Sequence, residues 1–117
     1  MTRRHIQSLP GEILNAVAFV MDYVEFHFNG PVLRAFTNPV VDAGGSQIAF
    51  DQPGSRDALC SLIGAEVGSV EVRDDEFIRL AFTDGRHLTL PLAQADRAGP
   101  EAATFQAELV HSPLDVW

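Results

Sequence analysis

Residues 67–91, VGSVEVRDDEFIRLAFTDGRHLTLP, decide the fold class. Apolar residues alternate with polar ones in three runs: Val70 and Val72, then Ile78, Leu80 and Phe82, then Leu88 and Leu90. Period two is the signature of a strand with one buried face. A one-residue slip would turn a strand's apolar set outward, so the loops must keep these side chains together. Three-residue loops do this. Thr83-Asp84-Gly85 sets Leu80 against Leu88 and Ile78 against Leu90, whereas a two-residue Asp84-Gly85 loop would oppose Ala81 to Leu88. Gly85 falls at the left-handed position that such hairpins require. Asp74-Asp75-Glu76 likewise sets Val72 against Ile78 and Val70 against Leu80. Glu71 then meets Arg79 on the other face, an opposite-charge pair worth about 0.2–1 kcal/mol. The stretch is a three-stranded antiparallel meander without chemistry of its own.

Just upstream, residues 55–63 predict a short helix. Ser55 is the expected N-cap, Asp57 lies in the first turn and Gly64 supplies the stop. Ala58, Leu59, Leu62 and Ile63 form the stripe that would pack on the sheet. Cys60 lacks any local partner that would activate a thiolate, so it is expected to be a small buried hydrophobe.

Residues 12–50 form a first β unit. YVEFHF-NGP-VLRAF reads as a hairpin, and Asn29-Gly30 is a strong turn signal. Pro31 cannot donate a turn-closing hydrogen bond, which widens the loop to residues 28–31. Phe26 then faces Leu33 and Val24 faces Ala35 inside, while Glu25 faces Arg34 and Tyr23 faces Phe36 outside. Before it, ILNAVAFVM (13–21) fits either a buried strand or a short helix; its β-branched and aromatic content favours the strand. The hairpin overlays FIRLAFTDGRHLTLP as a weak internal repeat, although generic hairpin patterning produces much of the same match. Residues 1–11 read as a polar lead-in. Residues 92–117 read as a loop or one helical turn from Pro100, followed by closing edge strands at 105–110 and 114–117 and a docked Trp117.

At 117 residues the chain is expected to be one globular domain with a single core. Its 16 acidic and 8 basic residues give a net charge of −8, which opposes nucleic-acid binding and leaves room for a basic protein partner. One cysteine excludes an internal disulfide framework. No apolar run is long enough to span a bilayer as a helix, and no signal-peptide core is present at the start, so the expectation is a cytoplasmic chain without membrane contact.

Candidate chemistry is sparse. His5, His27, His87 and His111 form no close ligand pair, so no metal and no cofactor are expected. His27 and His87 fall on the outward faces of their hairpins, where their rings would approach only if the hairpins adjoin. Asp22, Asp57, Asp96 and Glu101 border apolar or aromatic stretches. Asp96 and Arg97, followed by Gly99-Pro100-Glu101, form an irregular polar segment after a strand, a common place for binding residues. A helix cap and a surface ion pair would explain the same residues. Tyr23, Val32, Phe36 and Phe77 point outward in this register, and an outward apolar patch usually marks an interface.

The pieces DYVEFHFNGPVLRAFTNPVV, SRDALCSLIG, FIRLAFTDG and GPEAATF, with the terminal VW, resemble a family of small bacterial single-domain proteins of unknown function. The resemblance spans most of residues 9–117. It implies a stand-alone domain and carries no catalytic residue.

The expected architecture is α+β and β-rich: two antiparallel hairpin or meander units with one short helix packed on the sheet. The expected function is a non-catalytic protein-interaction or binding module, a homodimer or the binder of a protein partner, using Tyr23, Val32, Phe36 and Phe77. The alternative is a small-molecule-binding domain or weak enzyme, with a pocket formed by His27, His87, Asp96, Arg97 and Glu101.

Overall fold

A computed structural model describes residues 5–107 and 114–117. Arg3, Arg4, His111 and the Ser112-Pro113 connection lie outside the described residues, as does the end of the 105–110 strand. Among these residues antiparallel β-structure dominates, with one short helix and two 3-10 turns, so the fold is α+β and β-rich.

The meander register holds as read. β6 (Val67–Arg73), β7 (Phe77–Phe82) and β8 (His87–Pro91) pair Val72 with Ile78, Val70 with Leu80, Leu80 with Leu88 and Ile78 with Leu90. Gly85 takes φ +94° in the second loop, and Asp75 takes the left-handed position of the first at φ 64°. A bulge at Gly68 adds something the alternation does not show. Val67 pairs with Phe82 and Ser69 with Ala81, so one extra residue turns Val67 into the core alongside Val70. A Cβ on Gly68 would lie 3.3 Å from the Ala81 carbonyl oxygen, which favours glycine there.

The first unit divides between two sheets. β1 (Ala16–Val20), β2 (Tyr23–His27) and β3 (Val32–Ala35) form one meander, so residues 16–20 are strand. The β2–β3 hairpin has the expected register, and the Phe28 N–H donates to the Pro31 carbonyl at 2.8 Å to close its four-residue loop. After Pro39 the chain crosses over. β4 (Val40–Ala43) and β5 (Ser46–Ala49) join the other sheet through β8, giving the order β5-β4-β8-β7-β6. The first sheet is completed from the far end of the chain, in the order β1-β2-β3-β9-β10. β9 (Ala103–Gln106) therefore lies between β3 and β10 (Leu114–Val116) and is no edge strand. Ala102, Ala103 and Phe105 are fully buried, and an edge position could not bury all three.

Alternate residues of both sheets meet in one buried cluster: Phe26, Leu33 and Phe105 from one, Ile78, Leu80 and Leu88 from the other. Each such side chain stabilises the fold by about 1.5–3 kcal/mol. The helix α1 (Ser55–Cys60) touches β1, β4 and β5, and so closes one side between the edge strands of the two sheets.

Four local expectations are corrected. Gly54, at φ 85°, is the N-cap, while Ser55 lies inside the helix with its buried hydroxyl accepting the Asp51 N–H at 3.1 Å. The helix ends at Cys60, which is exposed; Leu59 and Leu62 are buried and Ile63 is exposed, because a single short turn buries only one side. The described part of the polar lead-in, from His5, contributes to the core. Residues His5–Ser8 form a 3-10 turn, Ile6 and Leu9 are fully buried, and the Ile6 N–H donates to the buried Asp115 carboxyl at 2.8 Å. The later 3-10 turn lies at Gln94–Asp96 rather than from Pro100. Trp117 docks as expected: its N–H donates to the Ala103 carbonyl at 2.9 Å, and its carbonyl accepts from Ala102 at 2.7 Å.

Candidate functional site

Val20 and Tyr23 face each other across β1 and β2, so Met21-Asp22 is a tight two-residue turn. It projects from one end of the first sheet, and Met21 is 95% exposed. Beside the turn, Tyr23 and Phe36 continue the β2–β3 register, with ring centroids 5.2 Å apart and planes tilted by 49°. The Phe36 N–H donates to the Ala102 carbonyl at 2.8 Å, which ties this ring to the start of β9. Residues 98–101 pass alongside. Arg97 holds them there: its Nε donates to the Leu92 carbonyl at 2.9 Å and its Nη1 to the Pro100 carbonyl at 3.3 Å. The result is a cleft of about 720 Å³, lined by Met21, Asp22, Tyr23, Phe36, Pro100 and Glu101 among others.

A second cleft, of about 450 Å³, shares the turn and the aromatic pair with the first and extends to the helix. Phe19 and Phe50 stack there at 5.7 Å, and the Arg56 guanidinium lies 5.5 and 5.3 Å from the two ring centroids. Each stacked cation contributes about 0.5–1 kcal/mol at an exposed site. Asp51 lines the same cleft with φ 82°, steadied by Ser55.

Four residues singled out in the sequence thus converge here: Asp22, Tyr23, Phe36 and Glu101. The others stand elsewhere. Val32 is only 2% exposed, which removes it from any outer patch; it pairs with both His27 and Gln106 in the interior of the sheet. Phe77 is on the other sheet, beneath the guanidinium groups of Arg73 at 5.4 Å and Arg79 at 4.4 Å. His27 and His87 belong to different sheets, so the condition for their approach is not met. His27 instead contacts Glu25, Nε2 to Oε1 at 3.0 Å, and the Arg34 Nε donates to the other oxygen of Glu25 at 2.6 Å. Burial alone would push the Glu25 carboxyl up, but the hydrogen bonds and charges of Arg34 and His27 outweigh it and hold the group below its ordinary value. Asp84 is likewise held low, by its hydrogen bonds from Arg86. Asp96 is exposed in the 3-10 turn, and Arg97 serves as the clamp on residues 98–101. Among the described residues, no group of three or more His, Cys, Asp or Glu side chains could hold a metal ion.

Sequence reasoning missed Phe19, Phe50, Asp51 and Arg56. The signal available was Arg56 itself, a lone cation in the first turn of the helix, six residues after Phe50. The approach of Phe19, on one edge strand, to Phe50, just after the edge strand of the other sheet, is a long-range fact that local pattern does not carry.

Compared with known proteins, the chain matches no family model, no curated protein and no solved structure. The resemblance carried by the hairpin and the terminal VW therefore adds no site residue, and the functional reading rests on the geometry of the two clefts.

Proposed function

We propose that this chain is a non-catalytic protein-interaction module, and that it docks its partner on the aromatic groove at the β1–β2 turn. One observation carries the reading: an exposed Met21 and the half-buried Tyr23–Phe36 pair stand together at the junction of two clefts. Aromatic residues and methionine are the types enriched where protein surfaces meet. The side chains best suited to nucleophilic or acid–base work, Cys60, His27 and His87, line neither cleft. The partner is a second copy of the chain or another protein. In native mass spectrometry of the gently purified protein, a dimer or a retained partner should disappear in Tyr23→Glu and persist in Phe77→Glu. Assembly that survives Tyr23→Glu, or a wild-type chain that stays a bare monomer, overturns the reading.

The second reading, a small-molecule-binding domain, is favoured by Arg56. It is the one described arginine with no carboxylate within 4.0 Å, and it faces a cleft with aromatic walls. A small bound mass that is lost in Arg56→Gln, with the oligomeric mass unchanged, would select it.

A further inference from the structure

Among the described residues, the outward aromatic rings are capped by arginine with one exception. Phe77 carries Arg73 and Arg79, and the Phe19–Phe50 stack carries Arg56. Over the Tyr23–Phe36 pair there is no cation among the described residues. Two carboxylates, Asp22 and Glu101, line the cleft beside that pair, and neither has a hydrogen bond or ion pair within the described residues. The ring faces are electron-rich and the flanking charges are negative, so the surface is complementary to a cation carried on an apolar or planar group.

We propose that the Tyr23–Phe36 cleft is the docking site for a basic segment of a partner protein, with an arginine seated over the two rings and its guanidinium edge turned to Asp22 and Glu101. This rests on the interaction reading and names the chemistry of the partner. A guanidinium fits better than an ammonium, because it stacks flat on aromatic faces while its in-plane N–H groups still reach carboxylates. The charge of the whole chain, −8, would speed the approach of such a segment. A second copy of this chain is the poorer occupant. Of the described arginines, those at 34, 73, 79, 86 and 97 already lie within 4.0 Å of carboxylates and Arg56 is stacked, and each copy adds another −8.

Blocked tetra-arginine peptide provides the probe, with tetra-citrulline as its uncharged isostere. Tyr23 is the only tyrosine, so its ring resonances report the site directly during an NMR titration. Tetra-arginine should shift those resonances and tetra-citrulline should not. Any acidic protein attracts a polycation, so two double variants of equal charge change separate the site from the general field. Asp22→Asn with Glu101→Gln should weaken tetra-arginine binding by up to about tenfold, the combined loss of two exposed ion contacts while the rings keep their stacking. Asp57→Asn with Glu66→Gln, which line neither cleft, should weaken it by less than about twofold. Equal weakening by both doubles, an unshifted Tyr23 ring, or equal binding of the citrulline peptide overturns the proposal. If it falls while Tyr23→Glu still dissolves an assembly, the groove remains an interaction face for an uncharged surface. If both fail, the interaction reading falls with it.

Discussion

Truncating Asp115 to alanine tests a tie between the two ends of the fold. Its carboxyl accepts the Ile6 N–H at 2.8 Å across 109 residues of chain, and Asp115 is only 7% exposed. In Asp115→Ala the Ile6 N–H loses its acceptor in a dry place, which costs about 1–3 kcal/mol. The N-terminal segment could escape by peeling away, but that would expose Ile6 and Leu9, worth together about 3–6 kcal/mol. Docking with an orphaned N–H is the cheaper state, so the segment stays down and the whole penalty appears in global stability. A chain of this length has an unfolding entropy of about 0.25 kcal/mol/K, so a loss of about 2 kcal/mol lowers Tm by about 8 °C. Asp115→Asn keeps a carbonyl oxygen in the same place and should cost less than half as much. The assay is thermal unfolding by circular dichroism, with hydrogen exchange at the Ile6 amide as the local readout. An Asp115→Ala variant melting within about 2 °C of the parent would refute the reasoning. So would an asparagine variant as damaged as the alanine one.

The same geometry sets three further outcomes. Glu25 is held below its ordinary pKa of 4.5, so its stabilisation is complete above that value and is lost as pH falls through the folded-state pKa; urea-melt midpoints measured down that range should fall less steeply in Glu25→Gln than in the parent. Gly85→Ala should destabilise by about 1–2 kcal/mol, a purely backbone cost, because φ is +94° and nothing lies within 4 Å of the added Cβ; a neutral result in chemical denaturation would show that the loop relaxes. Cys60 is exposed, so it should react with a thiol reagent in the native protein at the rate of an unprotected cysteine, and protection until unfolding would contradict its placement.

Local pattern carried the meander because every contact there is between neighbours in sequence. The period-two runs, the Asp and Gly loop positions and the face-sorting of Ile78, Leu80, Leu88 and Leu90 all express one constraint, the need to keep apolar side chains on one face. The β2–β3 hairpin was legible for the same reason, down to the Pro31-widened loop. Half of the candidate site was legible too, since Tyr23 and Phe36 are a cross-strand pair within that hairpin. Glu101 was visible only as a polar residue near a strand end, and its place beside the pair depends on β9 lying against β3.

What the sequence by itself determined, then, is the strand-rich class, the registers within hairpins, and an acidic surface. The tertiary structure alone decided which strands share a sheet. β4 and β5 leave their sequence neighbours for β8, β9 and β10 return to β3, and Ile6 reaches Asp115 from the opposite end of the chain. Those choices depend on which apolar faces can be buried together across the whole molecule, and a stretch of alternating residues specifies that a face must be covered without specifying by what. The same limit hid the stacking of Arg56 on Phe19, a neighbour distant in sequence.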